Sequence, residues 1–310
     1  MTREQQIQVF LSSLHQNLCQ LFAEQDGGKF EFDPWTRGPS GTGLAGRGIT
    51  AILEDGQVLE RAGVGFSDVS GTSLPPAATA RNPHLAGRAY RAMGVSVVMH
   101  PRNPNVPTSH MNVRFLSAAD TWWFGGGFDL TPYLVNEVDV VAWHQAAAQA
   151  CAPFHPALYQ HLRKTCDDYF YLPHRGEARG IGGIFYDDLN DATAQFGMSW
   201  ERCFEFMQKV AAHYRDTYLQ IVRARYQLRY GDREREYQLY RRGRYAEFNL
   251  VLDRGTLFGL QSGGRAESIL MSMPPLVRWA YRSPDAELDA RLMPYLTTLR
   301  GHDWRARAEV

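Results

Sequence analysis

Lysine is nearly missing from this chain: of its 33 positive side chains only Lys29, Lys164 and Lys209 are lysine, and the rest are arginine. Either arginine-rich coding or a need for the bidentate guanidinium fork explains that bias. Net charge is missing too, with 33 acidic groups against 33 basic ones, so no whole-chain field draws the protein to nucleic acid or to an anionic surface. Cysteine is scarce. Cys19, Cys151, Cys166 and Cys203 lie far apart with no C-x-x-C pair, which makes a poor zinc motif and a poor disulfide framework. No run of about 18 uninterrupted apolar residues occurs, so no transmembrane helix and no membrane insertion are expected. Met1 to Gln8 carries Glu and Gln and leads into an amphipathic pattern, and the protein reads as cytoplasmic.

What is present is a large apolar fraction, 44%, and 12% aromatics, enough for a substantial core. Ile7, Phe10, Leu11, Leu14, Leu18, Leu21 and Phe22 recur at helical spacing, and Asp26-Gly27-Gly28 ends that helix. The glycine-rich segment 37–48 reads as a mobile loop, as does the stretch around Pro75-Pro76. Ile49–Glu54 and Gln57–Ala62 flank Asp55-Gly56, a hairpin signal. The pattern then predicts a short helix around Leu85–Met93 and strands over Val95–His100, His110–Ala118 and Thr121–Phe128. Helices follow over Asp139–Cys151, Pro156–Tyr171 and Ser199 to about Arg229, with a short strand at Gly182–Tyr186. Glu247–Leu252 and Thr256–Gln261, joined by Asp253-Arg254-Gly255, read as a late hairpin, and Glu267–Met273 and Leu276–Tyr281 as helical. Hairpin-paired strands with helices grouped between them give α+β with an antiparallel sheet, in one domain over 1–310.

Chemistry-bearing residues concentrate in four segments. In Gly94 to Arg114 a loop stiffened by Pro101, Pro104 and Pro107 leads into a strand on which His110, Asn112 and Arg114 alternate with Met111 and Val113. Period two puts the three polar groups on one sheet face, which is either a wet cleft or simply a solvated face. Trp122 to Pro132 joins aromatics to Gly125-Gly126-Gly127, where backbone or a flat ligand can approach closely, unless the glycines only make a bulge. No phosphate-binding fingerprint follows them. Asp167 to Asp188 gathers His174, Arg175, Arg179, Asp187 and Asp188 around further glycines. In Leu260 to Arg265, backbone N–H groups and a guanidinium make a candidate carboxylate nest, or an ordinary turn with a surface arginine. His100, His110, His144 and His174 show no zinc-type spacing, so a shared metal would have to be assembled by the fold. The run Arg223–Arg244 holds eight arginines, but Asp232, Glu234 and Glu236 interrupt it, which favours ion pairs within the protein or between subunits over nucleic acid.

These segments carry a resemblance. Ala89–Arg114, Trp122–Pro132, Cys166–Asn190 and Tyr237–Trp279 are similar to the oxygen-dependent coproporphyrinogen III oxidase family, and the likeness runs nearly the whole length. The resemblance implies a large flat antiparallel sheet covered by helices on both sides, a homodimer with its interface within 245–280, and oxidative decarboxylation of the ring A and B propionates with O2 as co-substrate. It puts the proton-donating histidine at His110, and substrate contacts at Ser96, at Asn112, Val113 and Arg114, and at Gly263, Gly264 and Arg265. The carboxylate facing the pyrrole N–H groups falls in Asp187-Asp188. Histidines assigned to a divalent metal fall on His100, His144 and His174. The chemistry asks for no flavin, haem or nicotinamide. Two other readings stay open on the residues alone: an iron or copper oxygenase built on His100, His110, His144 or His174, and a porphyrin carrier without chemistry.

Overall fold

A computed structural model describes residues 1–38, 45–74, 83–261 and 263–307. Its centre is one seven-stranded antiparallel sheet. The strands are β1 (Glu31–Arg37), β2 (Ala45–Glu54), β3 (Leu59–Gly71), β4 (Tyr90–Pro101), β5 (Thr108–Ala118), β6 (Thr121–Thr131) and β9 (Gly182–Leu189), side by side in that order. Each strand turns back on the one before it. The single long excursion, between β6 and β9, carries helices α2 (Glu137–Cys151) and α3 (Leu158–Tyr169) and a two-stranded ribbon, β7 (Tyr171–Leu172) with β8 (Glu177–Ala178).

Alternation along the strands gives the sheet two unlike faces. One face carries Val95, Val97, Met111, Val113, Phe128 and Ile184, all buried, and it is covered by α1 (Arg3–Asp26), α2 and α4 (Trp200–Arg225). Each such aliphatic or aromatic side chain contributes roughly 1.5–3 kcal/mol on burial, so this layer holds the sheet in place. α1 ends where the sequence predicts. Gly27 adopts the left-handed conformation at φ 79°, and Asp26 turns back to accept the Val58 and Leu59 N–H groups at 2.8 and 2.7 Å. The other face carries the polar alternates and lies under α5 (Asp232–Val251), α6 (Arg254–Gln261) and α7 (Ala266–Leu270). A last helix, α8 (Ala286–Leu296), packs Leu288, Leu292 and Leu296 against Tyr237 and Tyr240 of α5. The antiparallel α+β architecture is as expected.

Three local expectations fail. The segment expected to be a helix over Leu85–Met93 forms only a 3-10 turn ending at Leu85, and Tyr90–Met93 open β4. Pairing decides it: Tyr90 through Met93 have partners on both β3 and β5, and a two-sided ladder outweighs local propensity. The hairpin expected over 247–261 is instead the end of α5 and the whole of α6. Asp253 is a helix cap rather than a turn residue, its Oδ2 accepting from both the N–H and the hydroxyl of Thr256 at 2.8 Å. Residues 276–281 are not helical; they run as coil tied to α5 by the Arg278 N–H to the Leu239 carbonyl at 2.9 Å. Segment 37–48, read as a loop, contributes Arg37 to β1 and 45–48 to β2, while 39–44 and the 75–82 stretch holding Pro75-Pro76 lie outside the described residues.

Candidate active site

Register places the polar face residue by residue. Directly opposite partners share a face, so one row runs Asp33, Thr50, Gly65, Ser96, Asn112, Gly127, Phe185 across the seven strands. Its neighbour on one side runs Gly63, Val98, His110, Asp129, Gly183, and on the other Ser67, Gly94, Arg114, Gly125. His110, Asn112, Arg114 and Ser96 therefore stand together on a floor made largely of glycine, while Val113, between them, points into the apolar layer. The glycines are not interchangeable with alanine. A Cβ on Gly125 would sit 2.8 Å from the Arg114 guanidinium, and one on Gly65 2.8 Å from the Met271 methyl.

Half-buried His110 ends a hydrogen-bonded chain whose other members are buried. Its Nδ1 lies 2.9 Å from Asp129 Oδ1, and Arg179 Nη2 lies 2.8 Å from both oxygens of the same carboxylate. Arg179 Nη1 donates to Asn249 Oδ1 at 2.6 Å, and its guanidinium is caged by the rings of Phe170, Tyr245 and Phe248 at 4.1, 4.6 and 4.8 Å. Burial pushes the Asp129 carboxyl up, but Arg179 and His110 outweigh it and hold the acid below the ordinary carboxylate range. An ionised Asp129 can only accept, so Nδ1 of His110 carries the proton and Nε2 is the nitrogen able to exchange one with a substrate.

Asp129 is the residue the sequence reading passed over, placing the site carboxylate in Asp187-Asp188. Counting outward from the Ala119-Asp120 turn pairs His110 with Asp129, so the hairpin register already held that signal. Asp187 stands at the far side of Arg114. It takes an ion pair from Arg114 Nη2 and another, at 3.3 Å, from Arg254 Nη2, and Arg114 Nη1 also donates to Asn112 at 2.8 Å. Asp188 follows it in the left-handed region at φ 61°.

Of the two readings of Gly263–Arg265, a carboxylate nest or an ordinary turn, the backbone takes the turn. The Gly263 and Gly264 N–H groups are taken by the Leu260 and Gly259 carbonyls at 3.1 and 2.7 Å, closing the C-terminus of α6. Arg265 pairs with Asp33 on β1. That is four strand spacings of about 4.8 Å, or about 19 Å, from β5, so Arg265 and Arg114 flank the glycine floor from opposite sides. Between them α7 and the residues after it lie across the face: Ser268 meets Thr50 at 2.7 Å, Met271 covers Gly63 and Gly65, and the Ser272 carbonyl reaches His100.

The three histidines considered as metal ligands sit apart, each with protein partners. Buried His100 bonds Thr108 through Nδ1 at 3.2 Å and the Ser272 carbonyl through Nε2 at 2.8 Å. His144 meets the Ile181 carbonyl at 2.9 Å and Tyr159 at 3.1 Å, and His174 lies near the surface against Glu247 at 3.0 Å. Burial, with Arg242 and Arg163 respectively, pushes the His100 and His144 rings well towards neutral. No group of three or more His, Cys, Asp or Glu able to hold a metal occurs among the described residues. These histidines do not fit one metal.

Six arginines of the 223–244 run are engaged in ion pairs, Arg225 with Asp139, Arg233 with Asp285, Arg235 and Arg242 with Glu60, and Arg241 and Arg244 with Glu177. No helix among the described residues is long and apolar enough to cross a membrane.

A histidine–aspartate couple backed by a buried cation stands here beside guanidinium groups on a glycine floor, an arrangement chemically able to exchange a proton and to pair with anions. The family model for coproporphyrinogen III oxidase matches residues 6–304 of the 310. The chain belongs to that family, whose oxidoreductases carry out oxidative decarboxylation of coproporphyrinogen in haem biosynthesis.

Proposed function

We propose that this chain uses O2 to convert the ring A and ring B propionates of coproporphyrinogen III to vinyl groups, giving protoporphyrinogen IX. The observation that carries the reading is His110, set by Asp129 and Arg179 on the glycine-floored face beside Asn112 and Arg114. Each vinyl group forms by loss of CO2 and of a hydride equivalent from the propionate β-carbon, and O2 with a proton takes up that hydride as H2O2. The substrate is thus its own reductant, and the protein's part is placement and proton handling. Arg114 and Arg265 are suited to hold propionates bidentately. Ser96 and Asn112 offer donors to the ring edges, and His110 Nε2 exchanges the proton. No step is routed through a metal, because the three candidate histidines are bonded to protein groups elsewhere.

The same reading includes a homodimer through 245–280. Leu250, Val251, Leu260, Leu276 and Trp279 of that segment are exposed large apolar side chains on one stretch of chain, an expected mark of a subunit contact.

The deciding experiment is O2 uptake by metal-stripped protein given freshly reduced coproporphyrinogen III, with the product read as protoporphyrin fluorescence after oxidation. Uptake with product supports the reading without a metal. Silence restored by one divalent ion keeps the reaction and overturns its metal independence. Binding of coproporphyrin with silence under every metal would leave a carrier instead.

A further inference from the structure

We propose that Asn249 is a positioning residue of the reaction: it fixes the plane of the Arg179 guanidinium, and through it the Asp129 carboxylate and the proton-exchanging edge of His110. The inference rests on the reading of His110 Nε2 as the nitrogen that exchanges a proton with substrate, and adds the residue that holds the chain behind it.

The Arg179 guanidinium has three nitrogens, and two of them are tied down. Nη2 lies 2.8 Å from both oxygens of Asp129, Nη1 donates to Asn249 Oδ1 at 2.6 Å, and Nε is buried without a partner among the described residues. The rings of Phe170, Tyr245 and Phe248 cage the group at 4.1, 4.6 and 4.8 Å. A ring face attracts a cation without choosing a direction for its N–H groups. Hydrogen bonds at two points fix that direction, and Asn249 is the second point. Without it the guanidinium pivots about Nη2, the two equal contacts become unequal, and Asp129 loses part of what keeps it charged.

Asn249 is itself held. It lies in the last turn of α5 and is 4% exposed. Arginine can only donate, so Oδ1 must face it and Nδ2 points the other way. There Nδ2 lies 3.5 Å from Ser272 Oγ, which donates in turn to the Ile269 carbonyl at 3.2 Å. The amide thus ties Arg179 both to α5 and to the segment lying across the glycine floor.

An amide at this place differs from what the neighbouring arginines receive. Arg241 and Arg242 of α5, also buried, end on the carboxylates Glu177 and Glu60. Arg179 ends one arm on a neutral acceptor. Asp129 and Arg179 then cancel, and His110 stands beside a pair without net charge. A carboxylate at 249 would tilt the group to net negative and make His110 hold its proton more tightly. The other groups facing the couple do not offset this near neutral pH. Arg114 is paired with Asp187. Asp253 stays ionised against its burial because Tyr169 and Thr256 bond it, and burial pushes the Cys166 thiol up.

The test is kcat and KM for coproporphyrinogen III across pH, with coproporphyrin binding by fluorescence quenching and thermal melting recorded for each variant. Asn249→Leu keeps the volume and removes the acceptor. Its kcat should fall by about ten- to a hundredfold, the scale of a lost bond to a charged group. KM and coproporphyrin binding should stay within about twofold of the parent, since nothing that touches substrate is removed. Asn249→Asp restores an acceptor of the same shape. It should recover most of the lost kcat at its own optimum and move the limb of the pH profile set by His110 upward by roughly one unit. A role confined to packing would not move that limb. His110→Gln separates the two levels of argument. Should it leave kcat unchanged, the reading of His110 fails and this inference falls with it. Should it abolish turnover while Asn249→Leu keeps the parent kcat, Arg179 needs no second anchor and only this inference is overturned. A fall in coproporphyrin binding as large as the fall in kcat would make Asn249 part of the binding surface, which also overturns it. Where Asn249→Leu proves too unstable to assay, Asn249→Asp decides alone: a pH profile superimposing on the parent's sinks the proposal.

Discussion

Removing the Arg179 side chain should reveal how strongly the polar face depends on one buried cation. Arg179 and Asp129 are 2% and 1% exposed, and both carboxylate oxygens lie 2.8 Å from the same Nη2. Arg179→Met keeps apolar contact with Phe170, Tyr245 and Phe248 but strands the carboxylate with His110 alone. Breaking a buried pair from one side costs about 3–5 kcal/mol, so guanidinium unfolding should show a loss of that size. The pH dependence should change sign as well. In the parent protein the folded-state pKa of Asp129 lies below its unfolded value of about 3.9, so its contribution is present above that pH and is lost as the pH falls through the folded value. Without the cation, burial dominates and the folded pKa rises above the unfolded one. The variant's deficit should then be largest at neutral pH and shrink on mild acidification. Adding Asp129→Asn should restore part of the loss, with a coupling of at least about 1.5 kcal/mol, within the range measured for residues in contact. Additive losses with no pH dependence would refute the view that Arg179 serves to keep Asp129 ionised.

The remaining predictions concern the floor, the histidines and a surface carboxylate. Gly127→Ala should unfold or precipitate the protein, because Gly127 has φ 142° and a Cβ would collide with the Ile184 carbonyl; a soluble, fully active variant would show that the strand can shift. Gly125→Ala meets only a movable guanidinium, so it should fold, losing less than about 1.5 kcal/mol by thermal melting, while raising KM by displacing Arg114. His100→Phe leaves Thr108 with Tyr133 alone and takes the His100 ring from the Ser272 carbonyl, and should cost about 1–3 kcal/mol, equally with and without chelator; a loss abolished by chelation would give His100 a ligand role. Glu247, held at about 2 by Arg175, His174 and Trp279 against the opposing effect of burial, gives stability that is full above its unfolded value of about 4.3 and lost as the pH falls towards 2. Glu247→Gln should flatten the acid limb of the melting curve.

Local periodicity carried the apolar half of the fold, and long-range pairing decided the rest. The alternation of His110, Asn112 and Arg114 with Met111 and Val113 predicts a two-faced strand, and β5 is one. The 85–93 segment has no such clean alternation, and only partners on β3 and β5 make Tyr90–Met93 a strand. Asp253-Arg254-Gly255 suits a turn by composition. It caps a helix because Thr256 follows at the spacing that lets both its N–H and its hydroxyl reach Asp253. The site shows the same division. His110 and Arg114 were visible as members of one strand, whereas Asp129 becomes visible only once β5 and β6 are put in register, and Asn249 only once α5 is laid over them.

That division bears on why the chemistry sits on a sheet face rather than on loops. His110, Asp129 and Arg179 come from two adjacent strands and the segment leading into β9, and the apolar face beneath them is packed by α1, α2 and α4. A carboxylate held by a buried guanidinium tolerates little displacement, since a small retreat of either partner exposes the desolvation cost of both. Backing the pair with a fully paired ladder and a buried aliphatic layer removes that freedom. Asp187 is by contrast set in a bulge at the sheet edge, where the ladder is interrupted. One sheet thus carries a rigidly held histidine–carboxylate couple on β5 and β6 and, on the edge strand β9, a carboxylate where the ladder is interrupted. A single added methyl should tell them apart, destroying the fold at Gly127 and only substrate affinity at Gly125.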